Sequence, residues 1–88
     1  MKIIKFSALW CADCIVMRPA WKEVAEKFPT LEVVEYDFDD QKEMAEKYGV
    51  TKVPHTILLT ADDQVIQSYQ GMKDKADLIK MIEENIGK

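Results

Sequence analysis

Three features of this 88-residue chain predict an α/β fold, a three-layer sandwich in which helices flank a four-stranded mixed sheet in the order β-α-β-α-β-β-α. Short segments rich in β-branched and aromatic residues alternate with segments of helical periodicity. The first β-α-β unit calls for a right-handed crossover and hence parallel strands. The last two strand-like segments are too close in sequence for a crossover, so they form an antiparallel hairpin, and helices must cover both faces of the shared sheet.

Lys2–Ala8 (KIIKFSA) is the first strand. Asp13–Phe28 is a helix, because Met17, Ala20, Trp21, Val24 and Phe28 recur at three- and four-residue steps. Pro19 should kink it, since proline lacks the N–H and crowds the preceding turn, and Pro29 ends it. Leu31–Phe38 (LEVVEYDF) is the second strand. Asp39 or Asp40 is the expected cap of a short helix over Gln41–Tyr48, which Gly49 stops. Thr56–Thr60 (TILLT) and Gln64–Tyr69 (QVIQSY) are strands joined by Ala61-Asp62-Asp63. Asp74 caps the last helix, with Asp77 in a capping-box-like position, and Leu78, Ile79, Ile82 and Ile86 form its apolar face.

The composition, 48% hydrophobic and 32% charged, is that of a globular chain, and three Gly and three Pro leave little room for linkers. Residues 1–88 are expected to form one domain with one modest core. A net charge of −4 gives nucleic-acid binding no general support. No apolar run approaches the ~20 residues a bilayer span needs. The opening MKIIKFSALWC is a poor secretory signal, its apolar stretch being broken by Lys5 and Ser7. The expected compartment is therefore cytoplasmic, where a permanent structural disulfide is disfavoured.

Cys11 and Cys14 are the only cysteines, and they sit where the first strand gives way to a helix. A helix N-terminus offers unpaired N–H groups and a partial positive charge, both of which favour the reactive thiolate. One turn apart, the two thiols can serve as attacking and resolving partners in disulfide exchange. Two Cys and a lone His fall short of the four ligands of a structural zinc site within one chain. A cluster shared between chains, or a pair of inert buried thiols, are the other readings of the pair. A copper chaperone also carries C-x-x-C after a first strand, but it lacks a helix where Gln41–Tyr48 sits and leaves Trp10 unexplained.

Trp10-Cys11-Ala12-Asp13-Cys14, Pro19, Val53-Pro54 and Gly71 together resemble the thioredoxin family, over essentially the whole chain. The resemblance implies a single thioredoxin-like domain that begins without that family's usual N-terminal strand and helix. It implies a thiol–disulfide oxidoreductase that reduces protein disulfides, with Cys11 the exposed attacking thiol and Cys14 the buried resolving one. Trp10, Val53, Pro54 and Gly71 would bind substrate; the Val53-Pro54 bond would be cis, and the Val53 backbone would pair with an extended substrate segment. The partners implied are disulfide-containing proteins and a thioredoxin reductase or small-thiol reductant, with no bound cofactor, no metal, no nucleic acid and no membrane, and with the chain a monomer. The alternatives are a glutaredoxin-like, glutathione-dependent enzyme, although the paired glycines of that site are missing, and a thioredoxin-fold adaptor with little redox role.

Departures from the family concern the surroundings of the cysteines. Ala12-Asp13 replace the usual Gly-Pro; the Asp13 carboxylate suits the helix dipole but opposes a neighbouring thiolate. His55 follows Pro54 where threonine is usual, and strand alternation directs it to packing. Lys5 occupies the place of a buried aspartate and Glu35 that of its lysine partner, which predicts a charge-reversed pair beneath Cys14. Strand parity alone leaves open whether both are simply solvated. The acids between Glu35 and Glu46 outnumber Lys42 six to one and read as a solvated face.

Overall fold

The computed structural model describes residues 1–85; Ile86, assigned above to the last apolar face, lies outside the described residues. The elements are β1 (Lys2–Ser7), α1 (Ala12–Lys27), β2 (Glu32–Asp37), α2 (Lys42–Lys47), β3 (His55–Leu59), β4 (Val65–Gln70) and α3 (Lys75–Asn85). The sheet order is β2-β1-β3-β4. β1 pairs parallel with β2 and antiparallel with β3, and β3 pairs antiparallel with β4. Mixed pairing follows from the connections: a helix returns β1 to β2, whereas a tight turn returns β3 to β4.

Alternation along the central strands sorts side chains between two apolar layers. Ile3 and Leu58 join Met17, Trp21 and Val24 of α1 and Leu78, Met81 and Ile82 of α3. Ile4, Phe6, Ile57 and Leu59 point the other way, against Ala45 of α2 and Val50. All five residues of β3 are buried, as expected of a strand covered on both faces. Each large aliphatic chain so buried contributes about 1.5–3 kcal/mol of transfer free energy.

α1 continues through Pro19, which is exposed, and stops at Phe28, whose N–H reaches Val24 O at 2.9 Å. Gly49 ends α2 with φ +69°, a conformation glycine adopts without steric cost. Asp74 caps α3, its Oδ1 accepting the Asp77 N–H at 2.9 Å. The cap expected of Asp39 or Asp40 is not formed. α2 begins at Gln41 with no side-chain cap bond. Asp37 Oδ1 instead accepts from the N–H groups of Asp39 (2.9 Å) and Asp40 (3.2 Å), because an Asx turn satisfies those donors before the helix starts.

His55 is buried, and its Nε2 lies 2.6 Å from Ser68 Oγ, while Nδ1 has no partner among the described residues. Burial holds its pKa below the ordinary histidine value. The unfolded chain therefore binds a proton first as pH falls. The stability due to neutral His55 is complete above about pH 6.5 and is lost as pH drops toward and through the folded-state value. Thermal melts from pH 8 to pH 5 should show the parent losing stability relative to His55→Gln below about pH 6.5. A difference that stays constant across this range would contradict the assignment.

Candidate active site

The end of β1 and the start of α1 place both cysteines at one edge of the sheet. Cys11 is the N-cap of α1, with φ −89° and ψ 107°, and its Sγ accepts the backbone N–H of Cys14 at 3.2 Å. This is the bond an N-cap oxygen would normally accept; here the acceptor is sulfur, and in the reduced protein it would be the Cys11 thiolate. The two residues form a disulfide with a Cα–Cα distance of 5.3 Å, within the ordinary range for such a bridge. Ala12 and Asp13, between them, are exposed.

The expected contrast between an exposed Cys11 and a buried Cys14 is absent in this oxidised state. Cys11 is 6% exposed and Cys14 7%, and both pack with Ala8 and Val53. What separates the sulfurs is their electrostatic setting: Cys11 caps the helix, whereas Cys14 lies on its buried face.

The Val53-Pro54 bond is cis. Pro54 is buried and lines a small cavity together with Cys14. The Gly71 N–H donates to Pro54 O at 2.8 Å, tying the loop after β4 to this segment, and Gly71 adopts φ +105°, which a residue with a Cβ rarely does. Trp10 is 65% exposed, and Leu9, Ile15, Val16 and Met72 are also exposed apolar residues of the described chain. The Trp10 indole Nε1–H donates to Asp39 Oδ2 at 2.8 Å. Asp39, twenty-nine residues away in sequence, could not be identified as a site residue from spacing alone.

Lys5 and Glu35 do pair. Lys5 Nζ lies 3.0 Å from Glu35 Oε2, with side chains 17% and 50% exposed, and 5.1 Å from the centroid of the Trp21 ring. Both residues line the cavity that reaches Cys14. Register places Glu35, Lys5, Thr56 and Tyr69 side by side across all four strands. Directly opposed residues share a face, so this polar row runs along the layer occupied by α1 and α3. Burial pushes the Tyr69 phenol up to about 12; neighbouring Thr56 works in the opposite direction without reaching hydrogen-bond geometry. The row has no local sequence signal, because it depends on the pairing register of four strands. His55 faces the opposite layer with Ile57, as alternation requires.

The thioredoxin family model matches residues 1–84. The chain is 32% identical over 83 residues to a thioredoxin of Chlamydia trachomatis, covering 94% of this chain and 80% of that one. It is 38% identical over 85 residues to an H-type thioredoxin of Oryza sativa, covering 97% of this chain and 68% of the other. A thioredoxin structure from Halobacterium salinarum superposes with a TM-score of 0.85 at 30% identity, covering 94% of this chain and 72% of that chain.

The bond between Trp10 and Asp39 has a direct solution readout. Asp39→Ala should move the Trp10 indole N–H resonance and leave that of buried Trp21 in place. The change in unfolding free energy should stay below about 1 kcal/mol, as for most solvent-exposed polar contacts. An unmoved Trp10 resonance would mean that the bond does not form in solution.

Proposed function

The chain belongs to the thioredoxin family and is a thiol–disulfide oxidoreductase, and we propose that Cys11 is its attacking thiol and Cys14 its resolving thiol. The observation that carries this assignment is the Cys14 N–H bonded to Cys11 Sγ at the N-cap of α1. A thiolate at that sulfur gains a backbone donor and the positive end of the helix dipole. Asp13, in the first turn, works against it through its own charge.

In the proposed cycle the Cys11 thiolate attacks one sulfur of a substrate disulfide. A Cys11–substrate bond forms, and the other substrate sulfur leaves with the electron pair and takes a proton. Cys14 then attacks Cys11 Sγ and expels the remaining substrate sulfur. The substrate departs as a dithiol, having gained two electrons and two protons, and the Cys11–Cys14 disulfide remains. Exposed Trp10, the Val53-Pro54 segment and Gly71 form the docking surface, with the Val53 backbone pairing to an extended substrate segment.

The oxidised chain needs a reductant, which we assign to a thioredoxin reductase or a small thiol. A cytoplasmic setting, where thiols are kept reduced, suits this cycle and a place in electron transport and cell redox homeostasis. Among the described residues no helix is long and apolar enough to cross a membrane.

Cys14→Ser should accumulate a mixed disulfide with reduced-and-reoxidised insulin or another disulfide substrate, through Cys11; Cys11→Ser should not. Trapping by Cys11→Ser alone would reverse the roles. Insulin reduction driven by a thioredoxin reductase with NADPH should outpace reduction driven by glutathione with its own reductase. The opposite order would move the chain to the glutathione-dependent reading.

A further inference from the structure

Beneath Cys14 lies a cavity of about 20 Å³, lined by Lys5, Ser7, Glu35, Pro54 and Thr56 among others. One water needs roughly 10–15 Å³, so the space admits a single molecule in contact with polar groups. The Lys5 side chain is mostly buried, whereas that of Glu35 is half-exposed. The two charges of the pair are therefore unequal in effect. Solvent screens the carboxylate more than the ammonium.

We propose that Lys5 is a positioning residue for the resolving step: its ammonium, tethered by Glu35, stabilises Cys14 as a thiolate. This rests on Cys14 being the resolving thiol. The proton that Cys14 gives up passes to bulk solvent. The Cys14 thiolate then attacks Cys11 Sγ. The Cys14–Cys11 bond forms, the Cys11–substrate bond breaks, and the substrate sulfur leaves with the electron pair and is protonated from solvent. Because only the thiolate is stabilised, the reduced dithiol gains relative to the disulfide at alkaline pH, and the couple becomes a better oxidant there.

Other charged and titratable groups face this region. Arg18 of α1 lines the same cavity but is exposed, Lys22 borders the wider groove beside it, and Tyr69 of β4 lies beyond Thr56 in the row. Exposure leaves Arg18 and Lys22 more strongly screened than Lys5.

The test follows Cys14 thiolate formation against pH, by ultraviolet absorbance and by alkylation rate, in chains carrying Cys11→Ser. Lys5→Met should raise the midpoint by about one pH unit, the low end of the effect of an adjacent opposite charge. Lys5→Arg should restore it. Glu35→Gln, which removes the counter-charge, should lower it; a purely structural pair would not give opposite signs. Arg18→Gln should shift it much less than Lys5→Met. With both cysteines present, a one-unit rise lowers the thiolate fraction at pH 7 about tenfold. The stronger nucleophilicity of the more basic thiol offsets part of this, leaving mixed-disulfide resolution about three- to fourfold slower. The glutathione exchange equilibrium of Lys5→Met should favour the disulfide several-fold more than the parent at pH 9, and the gap should close toward pH 7. An unchanged midpoint in folded Lys5→Met, or an equal shift in Arg18→Gln, would overturn the role of Lys5. Trapping of substrate by Cys11→Ser instead of Cys14→Ser would overturn the thiol assignment itself, independently of any midpoint.

Discussion

The position of β1 constrains the rest of the molecule. It is flanked by β2 and β3, and Ile3, Ile4 and Phe6 are each at most 1% exposed. A strand covered on both faces cannot simply continue into solvent at its end without losing that cover. The chain must turn at once into a helix that packs back on the sheet, and α1 does so through Met17, Trp21 and Val24. The cysteines occupy that turn. Their placement is thus a product of the packing: the helix that Cys11 caps is the helix whose inward face closes one apolar layer.

Much of this was legible in the sequence because the signals were local. Helical spacing in α1, β-branched runs in the strands, Asp74 at the start of α3 and Gly49 at the end of α2 each state a backbone preference within a few residues. The boundaries differ by about one residue at most ends, as expected where terminal turns fray. The Cys11–Cys14 pair and cis Pro54 were recognisable from a motif with a matching partner downstream. Local competition explains the misplaced cap. Asp37 Oδ1 takes the N–H groups of Asp39 and Asp40 and Asp39 Oδ2 takes the Trp10 indole N–H, and no side chain caps α2. Trp10 with Asp39, and the row from Glu35 to Tyr69, depend instead on strand register and chain reversal. Their spacing carries no periodic signal. The low exposure of Cys11 rests in part on its packing with Val53, a contact between distant segments that leaves no local signal.

The Lys5–Glu35 pair shows how a charge can be kept within an apolar layer. Neighbouring parallel strands bring the two residues to the same register position, so the 3.0 Å contact needs little extra ordering of long side chains. Trp21 adds the face of its ring at 5.1 Å, where an ammonium gains about 0.5–2 kcal/mol depending on desolvation. An unpaired ammonium at this depth would cost several kcal/mol. Glu35, Trp21 and the residual access to solvent together offset that penalty while leaving the ammonium beside the cysteine cavity.

The two outer strands protect the sheet in different ways. β2 carries Glu32, Glu35 and Asp37, so a second chain approaching its open edge meets like charges. β4, VIQSYQ, has no charged side chain and presents exposed Val65. Its protection is geometric: the register with β3 shifts between Leu58 and Leu59, and such an irregularity bends the edge away from flat strand pairing. Salt screens the guard on β2 and leaves that on β4 untouched. Edge-to-edge self-association at high ionic strength, and any ordered aggregate that grows from it, would therefore start at β2.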